Sequence, residues 1–147
     1  MEVIVKISNQ GSWTTTPFVT IADFTGYNST GAYIGVQGGT INFSPAGENF
    51  QSEPFSNDTW YVITTVYSNN TAALYVNGVW QGSLDNANND NHMGSNLIKP
   101  LYLGNPPTNS STTVQQIKIS RFKYYTRALS VSEIGSNFSM QKAVYGL

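Results

Sequence analysis

The chain has 147 residues, enough for one domain with a core of ordinary size. Seven Lys and Arg stand against eight Asp and Glu, only 10% of residues are charged, and Asn, Ser and Thr supply 47 residues of polarity instead. The lack of a basic excess excludes a nucleic-acid partner, and 39% hydrophobic residues exclude disorder.

In chain order, the elements are short and β-rich. Glu2-Val3-Ile4-Val5-Lys6-Ile7 follows Met1 directly and reads as a strand rather than a signal peptide. It fits a domain cut from a longer chain. Phe18–Phe24, Ala32–Gln37 and Thr40–Phe43 are further strands, separated by Gly26, Gly31, Gly38 and Gly39. From Trp60 to Tyr67 the alternation is clean, with Trp60, Val62, Thr64 and Val66 on one face and Tyr61, Ile63, Thr65 and Tyr67 on the other.

Ser68-Asn69-Asn70 turns the chain back into Thr71–Val76. Asn77-Gly78 turns it again into Val79-Trp80-Gln81, because that dipeptide supplies two residues with φ above zero. Asp85–Asn91 and Thr108–Thr113 are loops of turn-forming residues. Leu97–Leu103 is a strand broken by Pro100, hence an edge or a bulge. Val114–Tyr125 is the longest strand, with Ile117 and Ile119 on one face and, past a bulge, Phe122 and Tyr124 on the other.

One helix follows. Ser130-Val131-Ser132-Glu133 forms a capping box, Ile134 and Phe138 share a face, and Gly135 limits the helix to a turn or two. Arg127 is expected to pair with Glu133. No cysteine is present and no 18-residue apolar run exists, so neither disulfides nor membrane insertion is expected. At least ten strands and one helix predict an all-β fold: a two-sheet antiparallel β-sandwich of jelly-roll type with one short C-terminal helix, formed by residues 1–147 as a single domain.

The order of motifs adds a resemblance. Trp60-Tyr61-Val62 opens a strand, Leu74-Tyr75-Val76-Asn77-Gly78 makes a hairpin, Leu101-Tyr102-Leu103-Gly104-Asn105 follows, and Tyr125-Thr126-Arg127-Ala128-Leu129-Ser130 precedes Glu133-Ile134. This series resembles the laminin-G-like, concanavalin A-like lectin/glucanase jelly-roll superfamily over about residues 1–140. Thr126 stands where the family usually has Asn. The ending Asn137-Phe138 to Tyr145-Gly146-Leu147 is similar to such domains in bacteriophage and other virus structural proteins. The resemblance implies a virion-surface or extracellular location.

Candidate sites divide by chemistry. Jelly-roll glycosidases of the superfamily set paired carboxylates on one strand face. Here no two carboxylates stand at i, i+2 on a strand, so no catalytic residue is assigned. A glycoside hydrolase using Glu48 or Glu53 is the remote alternative, and His92 reads as a solvated loop residue. Calcium is the one candidate cofactor: Asp85 and Asp90 could ligate it, as in several family members, while the other reading is a loop that bonds its own backbone.

Sugar sites join an aromatic platform to amides that fork onto hydroxyls. Trp13, Tyr27 and Trp80 are the candidate platforms, with Asn86, Asn88 and Asn89 as the amides. The alternatives are cross-strand packing for Trp80 and, for Trp13, packing on a sheet edge or a partner chain. Trp60 is assigned to packing. The expected function is a non-catalytic surface or virion module that binds glycans in adhesion. The alternative is a structural virion decoration or fibre domain contacting other virion or surface proteins. Homo-oligomeric or multivalent display suits either.

Overall fold

Period-two alternation gives each strand one apolar face, and two such faces bury one another. In the computed structural model the described residues are 1–8, 19–23, 33–37, 39–44, 50–69, 71–85, 102–104 and 116–147. They form ten strands and a helix: β1 (Glu2–Ser8), β2 (Val19–Asp23), β3 (Tyr33–Gln37), β4 (Thr40–Ser44), β5 (Phe50–Pro54), β6 (Thr59–Ser68), β7 (Thr71–Val76), β8 (Val79–Leu84), β9 (Tyr102–Leu103), β10 (Gln116–Lys123) and α1 (Val131–Tyr145). One sheet has the order β10-β1-β6-β7-β8, the other β5-β4-β3-β2-β9. Every pairing is antiparallel. This is the sandwich expected from the sequence.

The core lies between the sheets. Val3, Val5 and Ile7 of β1 and Tyr61, Ile63 and Leu74 of the first sheet meet Ile21, Ile34, Val36, Ile41 and Phe43 of the second. Each fully buried aliphatic side chain contributes roughly 1.5–3 kcal/mol. Phe50 and Phe55 pack at its margin, and the Tyr61 ring stands edge-on to Phe55 with centroids 6.2 Å apart.

Both tight hairpins form as the sequence predicts. Ser68 pairs with Thr71 around Asn69, which has φ 49°. Val76 pairs with Val79 around Asn77 and Gly78, at φ 51° and 75°. The Asn77 backbone N–H donates to the Val62 carbonyl at 2.8 Å. Its side-chain oxygen accepts from the Val62 N–H at 2.9 Å, so the turn is fastened to β6.

Three features depart from the sequence reading. Phe122 does not lie opposite Ile117 and Ile119; all three pack against the core. The register steps from Ile4–Arg121 to Val5–Ile119, so Ser120 is the bulged residue, and the extra residue restores the same facing. Strand β5 has little periodicity, because it is a sheet edge ending in Pro54 and buries only Ser52 fully. The helix runs 15 residues rather than a turn or two. An interior glycine costs about 1 kcal/mol against alanine and does not stop a helix. The stop is Gly146 in the left-handed region, φ 68°, with its N–H donating to the Lys142 carbonyl.

The predicted N-cap is in place. The Ser130 hydroxyl accepts from the Glu133 N–H, and the Glu133 carboxylate accepts from the Ser130 N–H at 2.8 Å. Arg127 grips that carboxylate in a two-point ion pair, with Nη1 to Oε2 at 2.9 Å.

Helix α1 makes a third layer on the outer face of the first sheet. Ile4, Val62 and Thr64 point away from the inter-sheet core yet are buried. Ile134 of α1 is buried as well, Phe138 lies against Gly78, and Tyr145 rests on Trp60 with ring centroids 5.0 Å apart. Trp60 therefore packs as assigned, under the helix rather than between the sheets.

Candidate functional site

Of the predicted site residues, Trp80 and Asp85 lie within the described residues. Trp13, Tyr27, Asn86, Asn88, Asn89 and Asp90 lie outside them, as do Glu48 and His92.

Trp80 sits on β8, the free edge of the first sheet, and is 58% exposed. In register it stands opposite Tyr75, which pairs in turn with Thr64. Trp80 therefore shares the outer face that α1 partly covers. Val79 beside it is 62% exposed. Exposed apolar side chains are ordinary one at a time. This one differs in how its backbone is held.

On one side stands the Asn77-Gly78 turn, pinned to Val62 and closed under Phe138. On the other side the ladder shifts between Tyr75–Trp80 and Leu74–Gly82, leaving Gln81 in a bulge. The Gln81 amide is engaged at both ends: its Oε1 accepts from the Glu53 N–H at 3.0 Å and its Nε2 donates to the Val79 carbonyl at 3.3 Å. Gly82 then fits beneath the Phe50 ring with φ 147°. The large open ring of Trp80 thus rides on a backbone fixed at both ends, which lowers the ordering cost of any ligand stacked on it.

Asp85 ends the same strand pair. Its Oδ1 accepts from the Thr71 hydroxyl at 3.0 Å. Five residues separate it from Trp80, roughly 16 Å along a strand. Among the described residues, Trp80 and Asp85 are therefore at opposite ends of β8, and no single sugar ring spans them.

Three of the described carboxylates have structural partners. Glu133 serves the cap, Asp58 accepts from the Ser8 hydroxyl at 2.7 Å, and Glu2, almost fully buried, lies 3.7 Å from the Lys123 ammonium. Glu53 is exposed at the sheet edge. The Arg127 guanidinium and the Ser130 donors hold the Glu133 carboxyl down to a pKa of about 2. Among the described residues no three or more His, Cys, Asp and Glu side chains gather as a metal site. No helix among them is long and apolar enough to cross a membrane.

Residues 1–135 match Laminin_G_3, of the concanavalin A-like lectin/glucanases superfamily. The chain belongs to that superfamily. No curated protein matches this member in sequence. Among solved structures, the binding domain of Paraclostridial Mosquitocidal Protein 1 is similar, with TM-score 0.70 and 17% identity over 95% of this chain and 36% of that one. The botulinum neurotoxin serotype D binding domain gives TM-score 0.68 and 18% identity over 95% and 35%. The structure describing botulinum neurotoxin type C, whose cell entry depends on interaction with two ganglioside molecules, gives TM-score 0.62 and 14% identity over 95% and 34%. This chain spans about a third of each of those chains. At such identities the likeness is one of fold.

Proposed function

We propose that this superfamily member is a non-catalytic carbohydrate-binding module acting outside the cell, with Trp80 as its stacking platform. The observation that carries the reading is the 58% exposed Trp80 ring on a backbone fastened at both ends. Indole faces offer the apolar, polarizable surface that sugar C–H bonds prefer. The fold agrees, since similar folds occur in binding domains, one of them described through its ganglioside interaction. Display of many copies on one particle, a virion among them, raises the avidity of a single shallow platform.

The test is a glycan array followed by calorimetric titration of the chain and of Trp80→Ala, each with calcium and with a chelator. Binding should weaken about tenfold or more in the variant, a change of at least about 1.4 kcal/mol. Calcium-dependent binding that is lost in Asp85→Asn would assign Asp85 a ligand role. The carbohydrate reading fails if no saccharide binds under either condition, or if Trp80→Ala binds as tightly as the parent.

A further inference from the structure

The outer face of the first sheet carries a second feature, at the edge remote from Trp80. Six of the seven Lys and Arg residues are described. Lys123 is paired with Glu2 and Arg127 with Glu133. Lys142 sits in the last turn of α1, where a cation offsets the helix dipole. The remaining three, Lys6, Lys118 and Arg121, collect on β1 and β10.

Their facing follows from the core. Val3, Val5 and Ile7 point inward, as do Ile117, Ile119 and Phe122. Lys6 and Lys118 therefore point outward, and the Ser120 bulge puts Arg121 on the same outer face. Lys6 and Lys118 are direct cross-strand partners. Like charges in that position repel. Among the described residues neither forms an ion pair with a carboxylate. Asp58, two residues before Trp60 on the adjacent strand, is engaged by Ser8.

An aromatic wall adjoins the two lysines. Lys6 has Trp60 as its partner on the other side, so Lys118, Lys6 and Trp60 form one row across three strands. Tyr145 rests on Trp60, and its hydroxyl shares a 2.6 Å hydrogen bond with the Ser120 hydroxyl. Both rings are partly exposed and held in place. Two ammonium groups side by side match one anionic group with several acceptor oxygens. The adjoining ring edges match the apolar face of a sugar.

We infer that this corner binds an acidic saccharide, whose carboxylate or sulfate lies between Lys6 and Lys118 and whose ring meets Trp60 and Tyr145. The inference rests on the carbohydrate reading but uses a surface separate from Trp80. The aromatic wall favours a sugar over a bare anion. The near-neutral charge of the chain, seven basic against eight acidic residues, disfavours nucleic acid.

The experiment titrates the chain with a uronate-containing and a sulfated oligosaccharide. Controls are the desulfated sugar, inorganic sulfate and phosphatidylserine vesicles. An acidic oligosaccharide should bind, with affinity falling as salt screens the lysines. Lys6→Gln combined with Lys118→Gln should weaken it about tenfold or more. Lys118→Glu should abolish it while raising the thermal midpoint, because a carboxylate then faces Lys6. Trp80→Ala should leave it unchanged.

Absence of acidic-sugar binding, or binding unaltered in the lysine variants, overturns the proposal. Equal binding of inorganic sulfate or of vesicles also overturns it, by removing the sugar. Neutral glycan binding that Trp80→Ala abolishes, without acidic-sugar binding, overturns this proposal and leaves the Trp80 reading standing. No binding of any saccharide overturns both.

Discussion

Gly82→Ala should be among the most damaging small substitutions in the chain. A Cβ at Gly82 would lie 2.1 Å from Phe50 Cζ and 2.5 Å from Cε2. Carbon atoms prefer about 3.5–4.0 Å, so the ring must retreat by more than about 1 Å. Phe50 packs on the core cluster and lies on β5, the edge strand whose Glu53 is tied to Gln81, so its retreat loosens the closure between the two sheets. Overpacking of this kind costs about 1–3 kcal/mol.

The backbone adds a second cost. Gly82 has φ 147°, where a side chain is strained by about 1–3 kcal/mol. The sum is about 2–6 kcal/mol, a large part of the roughly 5–15 kcal/mol that holds a typical domain. At about 2–4 °C per kcal/mol, the midpoint should fall by roughly 4–24 °C. Denaturant unfolding of Gly82→Ala, Phe50→Leu and the double variant separates the two terms. The double variant should recover about 1–3 kcal/mol relative to the sum of the singles, because the smaller side chain removes the clash but not the strain. A Gly82→Ala variant within about 0.5 kcal/mol of the parent, or two changes that simply add, would show that no clash with Phe50 exists.

Other outcomes are expected. Asn77→Gly relaxes the turn backbone, yet it should destabilise by about 1–3 kcal/mol, because the Val62 N–H, on a residue only 1% exposed, loses its acceptor; equal or greater stability in urea would show that the side-chain bond adds nothing. Glu133 has a depressed carboxyl pKa of about 2, so its stabilisation of the cap is complete above the ordinary carboxylate range and is lost as pH falls through that value. Helical ellipticity should therefore decline on acidification from about pH 5 towards 2 in the parent. Glu133→Gln should lose that component of the acid transition, and a transition of the same size in both would remove the cap from the explanation.

Much of the fold was legible because local chemistry and tertiary packing agree. Asn77-Gly78, the alternation of Trp60–Tyr67 and the Ser130–Glu133 box each demand one conformation, and each adopts it. The misreadings share a cause. The helix length, the facing of Phe122 and the strand at Phe50–Pro54 depend on what each segment packs against. By propensity alone Gly135 limits the helix to a turn or two, because one residue's propensity cannot show that Ile134, Phe138 and Tyr145 dock on a sheet. Phe122 needs the Ser120 bulge, which becomes visible only against the register of β1.

The site was less legible for a related reason. Composition and its place after a turn point to Trp80, but its fixity comes from Gln81, Gly82 and Phe50, which no motif marks. In sequence, Lys6 is one polar residue in an apolar strand, and Lys118 is one in a longer strand. Their opposition exists only because β1 and β10, more than 100 residues apart in sequence, are neighbours in the sheet. Among the described residues no carboxylate pairs with either lysine to offset the repulsion, since those along that row of strands serve Lys123 and Ser8. Helix α1 accounts for why the outer face has two separate ends. It covers the middle, over Ile4, Val62 and Thr64, and leaves an uncharged aromatic edge at Trp80 and a cationic aromatic edge at Lys6 and Trp60. A ligand carrying both neutral and acidic sugars could engage both ends only if it passed over or around the helix, so the two surfaces should titrate independently.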